Sequence, residues 1–273
     1  MSNEAAVLGY DRAALANELK RRVDECLAEQ AADLAVRLKS DGSWVTAVDH
    51  AIQARIKRWL ARQFPRIGFL GEEMSVEAQQ AALAGSDAHP DGLWILDPLD
   101  GTSNFRVGFP VYSTTLALIR DGEVVLGLVY DPCRDELFSA AKGEGAWLNS
   151  KPLRLDAGGD IPLSQAIASV DFKRLPPELA CRLVSDPPYA SQRSIGSVAL
   201  DWCWVAAGRV QVYLHGKQKL WDYAAGKLIL AEAGGVETTL SGQPAPLSLE
   251  PRSAVCAVNE SLLAQWCEVL RSQ

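Results

Sequence analysis

The chain has 273 residues, 48% hydrophobic and 22% charged, with a formal net charge of −7. This is a globular composition, and a chain of this length buries roughly three quarters of its unfolded surface, in one domain or in two closely joined halves. It carries no Lys/Arg cluster of the kind that neutralises a nucleic-acid backbone, and no apolar run near the ~18 residues that span a bilayer.

The opening stretch MSNEAAVLGYDRAALANELK is acidic and lacks a continuous apolar core, so it does not read as a secretory signal and a cytoplasmic location is expected. Leu15, Leu19, Val23, Leu27, Ala31, Leu34 and Leu38 recur at steps of three and four, which predicts one long amphipathic helix. The turn cluster Ser40-Asp41-Gly42-Ser43 ends it. Ile52, Ile56, Trp59, Leu60 and Phe64 give a second helix, opened near Asp49 and closed by Pro65. The apolar run 67–70 reads as a buried strand ending in Gly71-Glu72-Glu73, and 74–92 as a mobile connection to a second buried strand, 93–96.

Stretches 112–119 and 124–130 are rich in β-branched residues around Asp121-Gly122, a hairpin signal, and 137–141 continues the meander. Residues 155–192, with several prolines, resist assignment. Beyond them come a helix over 197–207, a strand over 210–214 and a small-residue helix, WDYAAGKLILAEAGG, that opens at Asp222 and stops at Gly234-Gly235. The six cysteines contain no C-x-x-C pair, which argues against a zinc cage or a disulfide scaffold and for reduced, packed thiols.

Acids gather at element ends. Asp97 precedes Pro98, which holds its backbone extended where the strand 93–96 finishes. Asp100-Gly101-Thr102 follows as a turn, and a short helix starting at Thr102 or Ser103 would leave free N–H groups beside the two acids. Carboxylates next to an anion seat repel phosphate unless a cation lies between them. Magnesium meets that need, because it takes carboxylate and carbonyl oxygens and shares itself with substrate phosphate. Each acid also has a plain structural explanation: Asp49 and Asp222 as helix caps, Glu72 and Glu73 as a solvated turn, Asp97 and Asp100 as turn formers. Chance explains the whole set poorly.

The segments VTAVD (45–49), GEE (71–73), WILDPLDGTSNF (94–105), the GLVYDP and GEGAWLN stretch from 127, RSIGS (193–197) and WDYAAGKLILAEAGG (221–235) stand in an order that resembles the inositol monophosphatase family over nearly the whole chain. The resemblance implies a magnesium-dependent, lithium-sensitive phosphatase. Its fold would be α+β, a layered αβαβα sandwich with mainly antiparallel sheet, also the fructose-1,6-bisphosphatase type. It would form one catalytic domain over 1–273, or two halves meeting near 150–195. Residue by residue, it implies Glu72, Asp97 and Asp100 as metal ligands with the Leu99 carbonyl. Asp222 would bind a second metal and face the leaving group, and Glu73 would assist at a weaker site, for about two or three magnesium ions in all. Asp49 and Thr102 would orient and deprotonate the attacking water, and the N–H groups of Gly101 and Thr102 would receive phosphate. Gly196, Ser197 and Val198 match the loop near the substrate.

A homodimer is also implied, with the apolar hairpin around 111–130 as a candidate interface. Inositol-recognising members carry an acid seven positions before the late aspartate, where this chain has His215. That leaves the polyol contact open, with His215 either a substrate contact or a packed residue. Trp44 is larger than is usual at its position. Inositol monophosphate or a similar polyol phosphate is the first substrate expectation, and histidinol phosphate or a nucleoside bisphosphate the alternative. An accessory role in a transcription complex is the alternative of another class.

Overall fold

The computed structural model describes residues 11–30, 36–38, 44–85, 89, 91–155 and 161–271. Helix α1 (Arg12–Gln30) is shorter than the periodicity predicts. Val36–Leu38 forms strand β1, paired antiparallel with β2 (Trp44–Thr46), so Leu38 faces Trp44 across a ladder instead of extending a helix. Spacing of three and four suits a helix, but a local strand partner competes for the same backbone groups and wins here. Ala31, Leu34 and the turn cluster 40–43 lie outside the described residues. Helix α2 (Ala47–Gln63) follows β2 directly, with Thr46 as its cap and Asp49 at the third helical position.

Strands β3 (Gly68–Gly71), β4 (Leu93–Asp100), β5 (Ser113–Arg120), β6 (Glu123–Asp131), β7 (Glu136–Ala141), β8 (Ala146–Leu148) and β9 (Lys151–Leu153) form a sheet in sequence order, antiparallel except between β3 and β4. Asp121 and Gly122 both take positive φ, 51° and 74°, as the tightest hairpin turn requires. The stretch 74–92 is not only a connection. It contains α3 (Val76–Ala84), capped by Ser75, because its Ala-rich run propagates a helix once a cap starts it.

Side-chain alternation splits the large sheet between two cores. Trp94, Leu96, Leu116, Leu118, Leu126 and Leu128 meet Leu19, Val23, Ile52 and Ile56 of α1 and α2 on one face. Leu93, Ile95, Ala117, Val129 and Phe138 meet α6 (Val198–Ala206) and α7 (Leu220–Ala233) on the other. The apolar hairpin around 111–130 therefore spends its side chains inside the protomer, almost all buried, and offers little apolar surface to a partner.

The segment left unassigned supplies β10 (Ile167–Asp171), helix α5 (Pro177–Ser185) and β11 (Ser191–Arg193). With β12 (Val212–Gln218), β13 (Val236–Thr238) and β14 (Arg252–Ala257) they build a mixed sheet ordered β11-β10-β12-β14-β13. Helix α8 (Glu260–Arg271) and α5 cover its outer face through Trp266, Leu262 and Leu183. The layers run helix pair, large sheet, α6 and α7, small sheet, helix pair, which is the αβαβα sandwich. Cys26, Cys203 and Cys256 are buried, and the described cysteines are free thiols.

Candidate active site

The acidic corner is built by a bulge. Asp97 pairs with Thr115 and Asp100 with Ser113, so β4 advances three residues while β5 advances two. Residues three apart on a regular strand point to opposite faces; one extra residue restores the phase. Asp97 and Asp100 therefore both face α6 and α7, and Pro98 sits in the bulge, where a missing N–H costs no ladder bond. The Pro98 carbonyl accepts a hydrogen bond from Thr114 Oγ1 at 2.7 Å, which pins the bend. The corner that sequence placed at the end of a strand is thus an irregularity within one.

Glu72 arrives from the parallel neighbour: its N–H donates to the Leu96 carbonyl at 3.0 Å, one step past β3. Gln79 of α3 donates to the carbonyls of Gly71 and Glu72 at 3.2 and 2.9 Å, so the helix that sequence missed helps to fix this acid. Asp222 sits in the first turn of α7, its Oδ2 accepting from the Lys219 N–H at 2.8 Å. Thr115 Oγ1 donates to the Trp221 carbonyl at 2.8 Å and ties that helix start to the bulged strand.

Glu72, Asp97, Leu99, Asp100, Gly101, Thr102, Gly196, Ser197, Val198, His215 and Asp222 all line one cavity of about 400 Å³. Asp97 is buried, and its carboxyl is pushed well above the usual range, first by burial and then by the charges of Glu72, Asp100 and Asp222. Asp100 accepts from Ser197 Oγ at 2.6 Å and from the N–H groups of Val198 and Ala199 at 3.2 and 2.8 Å. Burial outweighs those bonds and lifts it to about 6. Asp222 is raised by burial and by the charges of Asp100 and Glu72. All three acids are therefore held where burial and the charge of Glu72 make them harder to ionise.

Thr102 Oγ1 lies 3.2 Å from Asp49 Oδ1 and 2.9 Å from the Leu99 carbonyl. Asp49 is fully buried behind it, locked in a capping box by the Thr46 N–H at 2.8 Å, and its carboxyl is raised mainly by burial. Among the described residues Thr102 links Asp49 to the cavity. Gly101 takes φ 93° to open α4 (Thr102–Arg106), and the Asn104 amide donates to the carbonyls of Val111 and Ile195, both at 2.7 Å. The loop carrying Gly196 is thereby joined to the DGT turn. Glu73 does not line the cavity; its N–H donates to Gln53 Oε1 at 3.0 Å. The Trp44 side chain lies outside the described residues.

His215 is buried, with Nε2 3.2 Å from Asp171 Oδ2 and Nδ1 accepting from the Lys217 N–H at 3.1 Å. Both ring nitrogens are engaged, so His215 has no free polar edge for a substrate. Asp171, beside it on the parallel strand β10, lines the cavity. Burial would raise the Asp171 carboxyl, but the hydrogen bond and charge of His215 prevail and hold it below the usual range. Asp171, Lys173, Arg174, Lys217 and Lys219 line the cavity and were missed, most of them because the elements over 155–192 carried no periodic signal.

Residues 11–273 match the family model of the inositol monophosphatase family. The chain belongs to that family. As an inositol monophosphatase family member it is a phosphoric monoester hydrolase. It is similar to the Nus factor SuhB of Pasteurella multocida, 39% identical over 219 residues, 78% of each chain. It is also similar to the inositol-1-monophosphatase of Rhizobium meliloti, 36% identical over 245 residues, 88% of this chain and 87% of the other. A crystal structure of an IMPase/NADP phosphatase complexed with Mg2+ and phosphate superposes with a TM-score of 0.83 at 26% identity, covering 95% of both chains.

The donor set suits a hard cation. It is all oxygen, carboxylates with the Leu99 carbonyl, and Asp97, Asp100 and Asp222 form no ion pair among the described residues that would relieve their repulsion. The acids are not already drawn into a closed cage: among the described residues no three His, Cys, Asp or Glu side chains converge to that degree. Magnesium does not require one, because it keeps several waters and takes only one or two carboxylates directly.

Proposed function

We propose that this family member hydrolyses a small phosphate monoester, an inositol monophosphate or related polyol phosphate, by magnesium-assisted attack of water. The observation that carries the reading is the bulge in β4, which turns Asp97 and Asp100 to one face, toward Glu72 and Asp222. In this reading Glu72, Asp97, Asp100 and the Leu99 carbonyl hold the first ion, and Asp222 a second on the leaving-group side, with about two or three ions in use. Magnesium, when bound, supplies positive charge to the phosphoryl oxygens and makes water a stronger acid.

The chain's own residues do the rest. The Thr102 hydroxyl, set between Asp49 and the Leu99 carbonyl, orients the attacking water, and buried Asp49 receives its proton through Thr102. A carboxyl raised by burial is a stronger base than an exposed one, which suits Asp49 to that task. The N–H groups of Gly101 and Thr102 meet the phosphoryl oxygens, and Ser197 and Asn104 keep the facing loop in place. Glu73, off the cavity wall, acts at most through water.

The test is phosphate release from inositol 1-phosphate, glycerol 2-phosphate and histidinol phosphate, with magnesium and with a chelator. Magnesium-dependent release from at least one is the expected result; no release by folded, magnesium-supplied protein contradicts the reading. The name of the Pasteurella relative favours a second reading, an accessory factor in a transcription complex. Binding of that kind should survive Asp97→Asn, whereas turnover should not.

A further inference from the structure

We propose, resting on the phosphatase reading above, that Asp171 sets the specificity of the site by accepting a hydroxyl of the leaving group, with His215 as its positioning residue. Asp171 ends β10, and its partner across the parallel pairing with β12 is His215. The ring Nδ1 accepts from the Lys217 N–H at 3.1 Å, so the ring proton stays on Nε2, which lies 3.2 Å from Asp171 Oδ2 and donates to it. Strand and turn are locked together at the same place. A Cβ on Gly216 would stand 1.8 Å from the Arg174 carbonyl oxygen, so only glycine lets β12 touch the 3-10 turn Phe172–Arg174 that follows Asp171.

These contacts keep the carboxylate ionised and leave part of it free. The hydrogen bond and charge of His215, with the charge of Arg174 and the Lys173 N–H, outweigh burial and hold Asp171 below the usual range. They use only part of the roughly four acceptor positions of a carboxylate, and 30% of the side chain stays exposed in the cavity wall. Asp201 lines the cavity too, but it is buried, accepts from Ser169 and is raised well above the usual range by burial. Of the two, Asp171 is the ionised one.

Its position fixes what it meets. The Lys219 N–H is bonded to Asp222, and the charge of Arg174 acts on Asp222 and Asp171 alike, so Asp171 stands on the Asp222 side, where the leaving group departs in the proposed reaction. An ionised carboxylate can only accept, so its partner on the substrate must bring a proton. An ammonium would bring one, but Lys173, Arg174, Lys217 and Lys219 line the same wall and repel it. A hydroxyl brings a proton without charge and fits. A bare hydrocarbon in its place leaves the carboxylate unpaired against an apolar surface, and the site discriminates against it.

The experiment measures kcat/KM within two matched pairs, all with magnesium: inositol 1-phosphate against cyclohexyl phosphate, and glycerol 2-phosphate against isopropyl phosphate. The second member of each pair keeps the carbon skeleton of the first without its free hydroxyls. Wild type should prefer the hydroxylated member by about tenfold or more in at least one pair. Asp171→Ala should cut that preference about tenfold, mostly through KM, and Asp171→Asn, which keeps the size of the side chain and an acceptor for His215, should cut it in the same direction. His215→Ala should lower it likewise, and His215→Gln, which keeps a donor near the place of Nε2, should restore most of it. Wild-type turnover with no preference in either pair overturns this proposal while sparing the phosphatase reading. So does an unchanged preference in every Asp171 variant that melts cooperatively. A folded His215→Ala protein with the wild-type preference overturns the role given to His215. No magnesium-dependent turnover of any phosphate ester would overturn both the proposal and the reading it rests on.

Discussion

Thr102 is the residue whose placement most sharply separates chemistry from scaffold. Its hydroxyl touches both Asp49 and the Leu99 carbonyl, yet it opens a short helix that other residues already hold. Thr102→Ala is expected to lower kcat about 10²–10³-fold with a smaller change in KM, and Thr102→Ser to restore most of the loss. Steady-state kinetics on the best monoester decide it; equal loss in the Ser and Ala variants would point to packing. At this scale the sequence was informative for the acids, because Asp97 and Asp100 flank Pro98 and Asp222 opens a helix, in motifs that are distinctive. It was uninformative for the partner of His215. Asp171 and His215 are neighbours only because β10 and β12 run in parallel, a juxtaposition that no local pattern records.

Among the elements, α7 is seated closely against the large sheet. A Cβ on Gly127 of β6 would stand 2.6 Å from the Ala225 carbonyl oxygen, so the strand admits the helix backbone only at glycine. Gly127→Ala should therefore push α7 outward, costing about 1–3 kcal/mol in urea unfolding, and should lower turnover as Asp222 moves with its helix. An unchanged urea midpoint would show that the sheet yields instead. Elements with strong local punctuation were legible: the Asp121-Gly122 hairpin, α6 behind Ser197, and α7 ending at Gly234. Those decided by competition were not. Leu38 kept helical spacing yet joined a strand, the Ala-rich run after Ser75 was short enough to pass for a connection, and the bulge at Pro98 shows only in the pairing register.

For the whole molecule, α6 and α7 form one continuous core that both sheets bury against. We expect residues 11–271 to unfold as one unit, with far-UV circular dichroism and tryptophan fluorescence giving coincident transitions; two separated transitions would mean two domains. The acidic cluster sets how that stability varies with pH. Burial lifts Asp100 to about 6, and Asp97 and Asp222 are raised in the same direction. A carboxyl raised on folding contributes stability that is complete below its unfolded pKa of about 3.9 and is lost as pH rises through the folded value. Metal-free protein should thus lose Tm from about pH 4 to pH 6 through Asp100, and further beyond through the other two. Magnesium added at neutral pH should recover it. A Tm that rises over that interval, or ignores magnesium, would contradict this.

The measurement that bears most directly on the central claim is phosphate release at saturating monoester by wild type and Asp97→Asn, each with magnesium and with chelator. Asp97→Asn keeps the size of the side chain and the bulge around it while removing one charge from the donor set. The expected result is a wild-type rate that disappears with chelator and falls by about 10³-fold or more in the variant, which should still melt cooperatively. A folded Asp97→Asn protein that turns over at the wild-type rate, or a wild-type rate indifferent to chelator, would contradict a magnesium site at this corner.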